Sequence, residues 1–250
     1  MTLIVIIFTG ASLATFPLLP LQFEVLFGSD TAYVSRLLLA PGFSLIVGTI
    51  LSNWIFSYFG GANREILGIS ALLMAAGIGA LAAVTKNTPS LAVGLSFVGG
   101  FGAGGIVQPA ITMLTVVTAD ERIGTIAGWA LCARLVAGSI GFAIYRSVLT
   151  NKLADILPAN IGNAAVAAGL PLNEVNQFLN SYLGTNTTEL ARYSSSILLA
   201  AQDATTESYV VGYRLIHIIS IAFGGSAVIA SLFLGDIRNH MVDRVAVDIE

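Results

Sequence analysis

The chain has 250 residues, 56% of them hydrophobic and only 10% charged, with a net charge of -3. An ordinary soluble domain carries roughly 25% charged residues, so a water-soluble globular fold is excluded because too much apolar surface would stay wet. No polybasic run is present to hold nucleic acid, and the single Cys132 leaves neither a disulfide framework nor a metal-ligand cluster.

The apolar residues fall in long blocks, each sufficient to cross a hydrocarbon core of about 30 Å at about 1.5 Å per helical residue. Period-2 alternation is lacking, which argues against a barrel. The expected architecture is therefore all-α and polytopic. Residues 1–149 hold five predicted spans, at 3–27, 33–59, 66–84, 91–117 and 123–149. Residues 150–208 form a long loop, 209–234 a sixth span and 235–250 a tail. The first block lacks a basic n-region and a small-residue cleavage site, so it reads as a mature helix.

Between the blocks stand turn formers and charges, as at Gly60-Gly61-Ala62-Asn63-Arg64-Glu65 and Lys86-Asn87-Thr88-Pro89. Such residues belong outside lipid, where backbone amides can be solvated. Arg64, Arg122, Arg238 and Arg244 fall on one side and Lys86 on the other. The positive-inside rule makes the first side, with both termini and the tail, cytoplasmic. The long loop then lies outside, as does the glycosylation sequon at Asn186. Within that loop Val175, Phe178, Leu179 and Tyr182 follow helical spacing after Pro171, predicting an amphipathic helix, and another helical stretch is expected from about Thr188.

Small residues recur every four positions at Ala71, Ala75, Gly79 and Ala83, at Gly100 and Gly104, and at Gly124 and Gly128. Such stripes let helix backbones approach in lipid. The glycine run at 99–105 lacks the Lys and Ser/Thr of a phosphate loop and reads as close-packed helix. Gln108-Pro109 follows it. The proline kinks the span, and the amide serves either as a binding contact or as an interhelical hydrogen bond.

Arg134 is the most informative residue. Near mid-span a charge costs at least about 2.5 kcal/mol on the mildest insertion scale, so a cavity or a partner must compensate. Its role is either in a functional cavity or in a structural clamp. On a helical wheel it shares a face with Ala127, Leu131, Gly138, Gly141 and Tyr145. Trp129 and Tyr213 are further candidates for substrate contact, and His217 is the titratable group at depth. No central carboxylate is present for proton coupling.

Ser96 in the fourth block and His217 in the sixth bear a superficial likeness to the dyad of rhomboid intramembrane proteases, but Ile-Ile-Ser follows His217 and the long loop precedes the sixth span. Zincin, P-loop and nucleophile-elbow motifs are absent, so neither an enzyme, a metal nor a cofactor is expected.

The stretches 102–110, 133–145 and 233–238, with Gln108-Pro109, Arg134, Gly138, Gly141, Tyr145 and Asp236-Ile237-Arg238, resemble the C-terminal half of fungal major facilitator transporters. The likeness is to the trichothecene efflux pump-like branch of fourteen-span drug:proton antiporters, with siderophore carriers as near relatives. It covers the whole chain and implies one six-helix half of a fold whose two halves rock about a midplane site. It also implies an amphipathic small-molecule or toxin substrate, proton-coupled efflux, a plasma or vacuolar membrane, and a missing N-terminal half that holds the proton-relay acids. The family's Gly-x3-Asp-Arg loop motif has only a degenerate counterpart at 60–64. The competing expectation is a membrane protein that binds a partner without transporting.

Overall fold

The computed structural model describes residues 1–235 and 237, except 29, 60, 61, 185, 186 and 191. The sequon at Asn186 and nearly all of the predicted tail lie outside the described residues. Among the described residues every regular element is helical, and six helical stretches are long and apolar enough to cross a membrane. The chain is a multi-pass, all-α membrane protein.

The first span is α1 (Thr2–Leu13) and α2 (Leu19–Phe27), separated by a 3-10 turn at Phe16–Leu18 that carries Pro17. The second is α3 (Thr31–Tyr58), entered through Asp30, whose carboxylate accepts from the Ala32 amide at 3.0 Å. The third is α4 (Asn63–Ala80) with a terminal 3-10 turn. The fourth is α5 (Pro89–Val107) and α6 (Pro109–Val116), interrupted at Gln108 because Pro109 cannot donate to the helical ladder. The fifth is α7 (Ile123–Ala167) and the sixth is α10 (Ser195–Leu232), with α8 (Val175–Leu183) and α9 (Thr187–Leu190) between them.

The segment 150–208 differs from the expected loop. Helix α7 runs unbroken past Leu149 to Ala167, while the expected amphipathic helix after Pro171 is α8 and the helical stretch expected from about Thr188 is present as α9 and the start of α10, which runs from Ser195 into the sixth span. Asn151, Lys152, Asp155 and Asn160 end the apolar block without ending the helix, since Leu153, Ile161 and Ala165 keep a buried face at helical spacing. The projecting ends of α7 and α10 pack with α8 into a small second core of Ile161, Ala165, Leu170, Phe178, Ile197 and Ala201. Phe178 is fully buried there, its ring 4.9 Å from Tyr193. Asn160 Nδ2 donates to Ser208 Oγ at 2.9 Å and ties the two long helices together.

This cap is fastened to the turn between the third and fourth spans. Lys86 Nζ lies 3.1 Å from Asp203 and 3.5 Å from Glu207, and Arg214 Nε donates to the Ala82 carbonyl at 3.1 Å. The hydrogen bond that Lys86 Nζ donates to Asp203 holds the ammonium above the ordinary lysine range, although its exposure limits what the pair contributes to stability.

Within the bundle the second span packs on the fourth, the fourth on the third, the third on the sixth, and the first on the fifth and sixth. Exchanging the first three spans for the last three maps these pairs onto one another. The departure is the fifth–sixth pair, widened by the projecting helix ends. A three-plus-three repeat of this kind is the architecture of an inverted-repeat transporter half. Glycines set the closest contacts. A Cβ on Gly102 would lie 2.6 Å from the Ser70 carbonyl oxygen, and one on Gly224 2.7 Å from the Ala75 methyl. Gly124 and Gly128 depart from the expected pattern, since nothing lies within 4 Å of a Cβ at either position.

Candidate functional site

The spans that related positions of the repeat make equivalent, the first and the fourth, are the two broken by proline, at Pro17 and Pro109. Beside these breaks lies an open cavity of about 640 Å³, built mainly by the first and fifth spans and bordered by Leu45 of the second and Val107 of the fourth. Arg134 is the sole charged side chain in its lining, and Ser139 is the sole other polar one. Leu13, Phe16, Leu135 and Phe142 supply apolar walls.

Glycine brings Arg134 there. A Cβ on Gly10 would lie 2.6 Å from the Arg134 carbonyl oxygen and 3.0 Å from its Cγ, so the first span presses directly on the arginine stem. One helical turn on, a Cβ on Gly138 would sit 3.5 Å from the Gly10 carbonyl oxygen, and one on Gly141 2.6 Å from that of Ala11. The helix crossing is thus made of Gly10, Ala11, Gly138 and Gly141. The half-buried Arg134 side chain makes neither a hydrogen bond nor an ion pair among the described residues. Gly10 is the site residue that sequence reasoning passed over. Its signal was a lone glycine in an apolar block, which carries no meaning until its neighbour is known.

The remaining candidates divide. Gln108 is exposed and follows the cavity residue Val107, while Pro109 is buried behind it. Gly104 serves the contact between the fourth and second spans: Thr49 Oγ1 donates to its carbonyl at 3.1 Å. Trp129 is 67% exposed and stands apart from the cavity lining.

Tyr145, Tyr213 and His217 lie elsewhere, in the apolar core of the first, fifth and sixth spans. Tyr145 packs edge-on against Phe223 with ring centroids 6.1 Å apart. His217 Nε2 donates to Gln22 Oε1 at 2.9 Å, joining the sixth span to the first, because an amide oxygen can only accept. The Tyr145 and Tyr213 hydroxyls and His217 Nδ1 have no hydrogen-bond partner among the described residues.

That pairing gives a direct test. Gln22→Leu strands a buried imidazole donor and should cost about 1–3 kcal/mol of stability. Gln22→Leu combined with His217→Leu removes both partners and should restore most of the loss. Thermal unfolding in detergent compares them. Equal midpoints for parent and Gln22→Leu would show that the bond carries no net stability.

Set beside known proteins, residues 1–250 match the family model described as fungal trichothecene efflux pump (TRI12). The MFS-type transporter prx5 of Penicillium rubens is 24% identical over 217 residues, which is 87% of this chain and 40% of that protein. The trichothecene efflux pump TRI12 of Fusarium sporotrichioides is 24% identical over 235 residues, 90% of this chain and 39% of its own length. Its counterpart in Trichoderma arundinaceum is 24% identical over 247 residues, 93% and 40% respectively. The chain thus spans about 40% of the length of these curated relatives.

Proposed function

Since this chain belongs to the fungal trichothecene efflux pump family, we propose that it is the C-terminal six-helix half of a transporter that exports amphipathic small molecules by alternating access. The observation that carries this reading is the cavity beside the two proline breaks, apolar on its walls and holding one unpaired arginine. An amphiphile buries its hydrocarbon against Leu13, Phe16 and Phe142 and directs an oxygen acceptor at Arg134. Ser139 Oγ, whose proton goes to the Leu135 carbonyl at 2.9 Å, is left to accept a hydrogen bond from a ligand hydroxyl.

The partner is a second six-helix half. Supporting this, the second and fifth spans carry long exposed apolar rows: Leu39, Phe43, Ile46 and Ile50 on one, Leu135, Val136 and Ile140 on the other. The cavity lies between these spans at the first and fourth. Rocking of the two halves about that point opens the site to either side in turn. Proton coupling falls to acids of the other half, since the cavity lining here contains no carboxylate. The termini face the cytoplasm, the cap faces outward, and the membrane is the plasma membrane.

The test is export of a trichothecene by yeast lacking its own exporters. The chain alone should confer no efflux, and the chain joined to its N-terminal half should. Efflux by the chain alone would contradict the two-half reading.

A further inference from the structure

We propose that the Arg134 cavity selects amphiphiles bearing a carboxylate. This rests on the reading of the cavity as a substrate site and adds the chemistry of the group that Arg134 receives. Three observations converge. The guanidinium is half-buried and without a hydrogen bond or ion pair among the described residues. The cavity lining contains no acid that would neutralise it. The stem lies against the first span, where a Cβ on Gly10 would come within 3.0 Å of Arg134 Cγ, so that helix borders one side of the arginine.

An unneutralised, half-buried guanidinium among apolar walls favours an anion, because it has lost part of its hydration and has no counter-charge in the lining. A carboxylate takes two parallel N–H donors from the planar fork, whereas a neutral ester accepts through its carbonyl alone. The apolar walls bind the hydrocarbon of either compound equally. The head group therefore decides the difference between them. The same oxyanion chemistry has a second source, a carboxylate on residues beyond this chain. Measuring on the 250-residue chain itself assigns any acid preference to the ligand.

The probes are 11-(dansylamino)undecanoic acid and its methyl ester, titrated by dansyl fluorescence against the chain in neutral-lipid nanodiscs at about pH 8, where the acid is ionised. Arg134→Gln should weaken the acid about tenfold or more while moving the ester less than about twofold, a ratio in which membrane partition cancels. Arg134→Lys should keep part of the acid preference, and both variants should elute and show helix content as the parent does. Equal weakening of both probes, or of neither, overturns the inference and leaves the amphiphile cavity standing. Failure of both probes to bind the parent chain overturns the cavity reading and the inference with it.

Discussion

Replacing Gly104 by valine should leave no folded bundle. A Cβ at Gly104 would collide with the Leu45 carbonyl oxygen and stand 2.9 Å from the Thr49 amide, both of them backbone atoms of α3. Gly48 on the same helix is equally tight against the Phe101 carbonyl. Neither obstacle is a side chain that can rotate aside, so α3 and α5 must separate along their length. Separation also breaks the hydrogen bond from Thr49 Oγ1 to the Gly104 carbonyl. Overpacking commonly costs about 1–3 kcal/mol, and a collision with backbone lies at or above about 3 kcal/mol. Size-exclusion elution and thermal unfolding in detergent measure it, with Gly94→Ala as control because nothing lies within 4 Å of a Cβ there. A Gly104→Val protein that unfolds at the parent's midpoint would mean that these helices are not in backbone contact.

Replacing Arg134 by alanine should abolish most export while leaving the protein as stable as before. In the completed transporter the export of a carboxylate-bearing amphiphile should fall at least about thirtyfold, equivalent to about 2 kcal/mol, the low end for truncating one partner of a charge-assisted contact. Stability moves the other way, or not at all, because an unpaired guanidinium at membrane depth is itself unfavourable and alanine removes it. These two signs separate the alternatives that the sequence left open. A structural clamp would lose stability and keep transport; a substrate contact loses transport and keeps stability. Export assays on vesicles and unfolding midpoints on the purified protein measure the pair.

The spans were legible because lipid imposes a length and an apolar composition on a helix, and both are written in the residues. Where that constraint ends, legibility ends too. Leu149 closes the apolar block, yet α7 continues to Ala167, since a helix in water needs only one buried stripe, here Leu153, Ile161 and Ala165. The Phe178 helix was readable by its periodicity, as was a helical stretch ahead of the last span, and the core they form was not, because Ile161 and Ala165 come from the extension of α7 beyond its apolar block.

The site divides in the same way. Arg134 stands out as a charge inside a span, and Gly138 follows from the wheel. Tyr145 shares that wheel face but lies three turns higher, about 16 Å along the axis, where the sixth span closes over it and Phe223 meets its ring. A wheel assigns a direction and says nothing of which neighbour occupies that direction at each height. For the same reason Gly10 carried no signal until Arg134 was seen against it, and Tyr213 and His217 looked alike in sequence to residues that line a cavity.

The claim that substrate occupies the space beside Arg134 is tested most directly by protection of a thiol placed there. In the completed transporter, with the exposed Cys132 changed to serine, Ser139→Cys puts a thiol in the cavity lining. Leu172→Cys puts one on the cap, at a residue 80% exposed. A saturating trichothecene should slow maleimide alkylation of Ser139→Cys and leave Leu172→Cys unchanged. Alkylation of Ser139→Cys at the same rate with and without substrate would contradict the account.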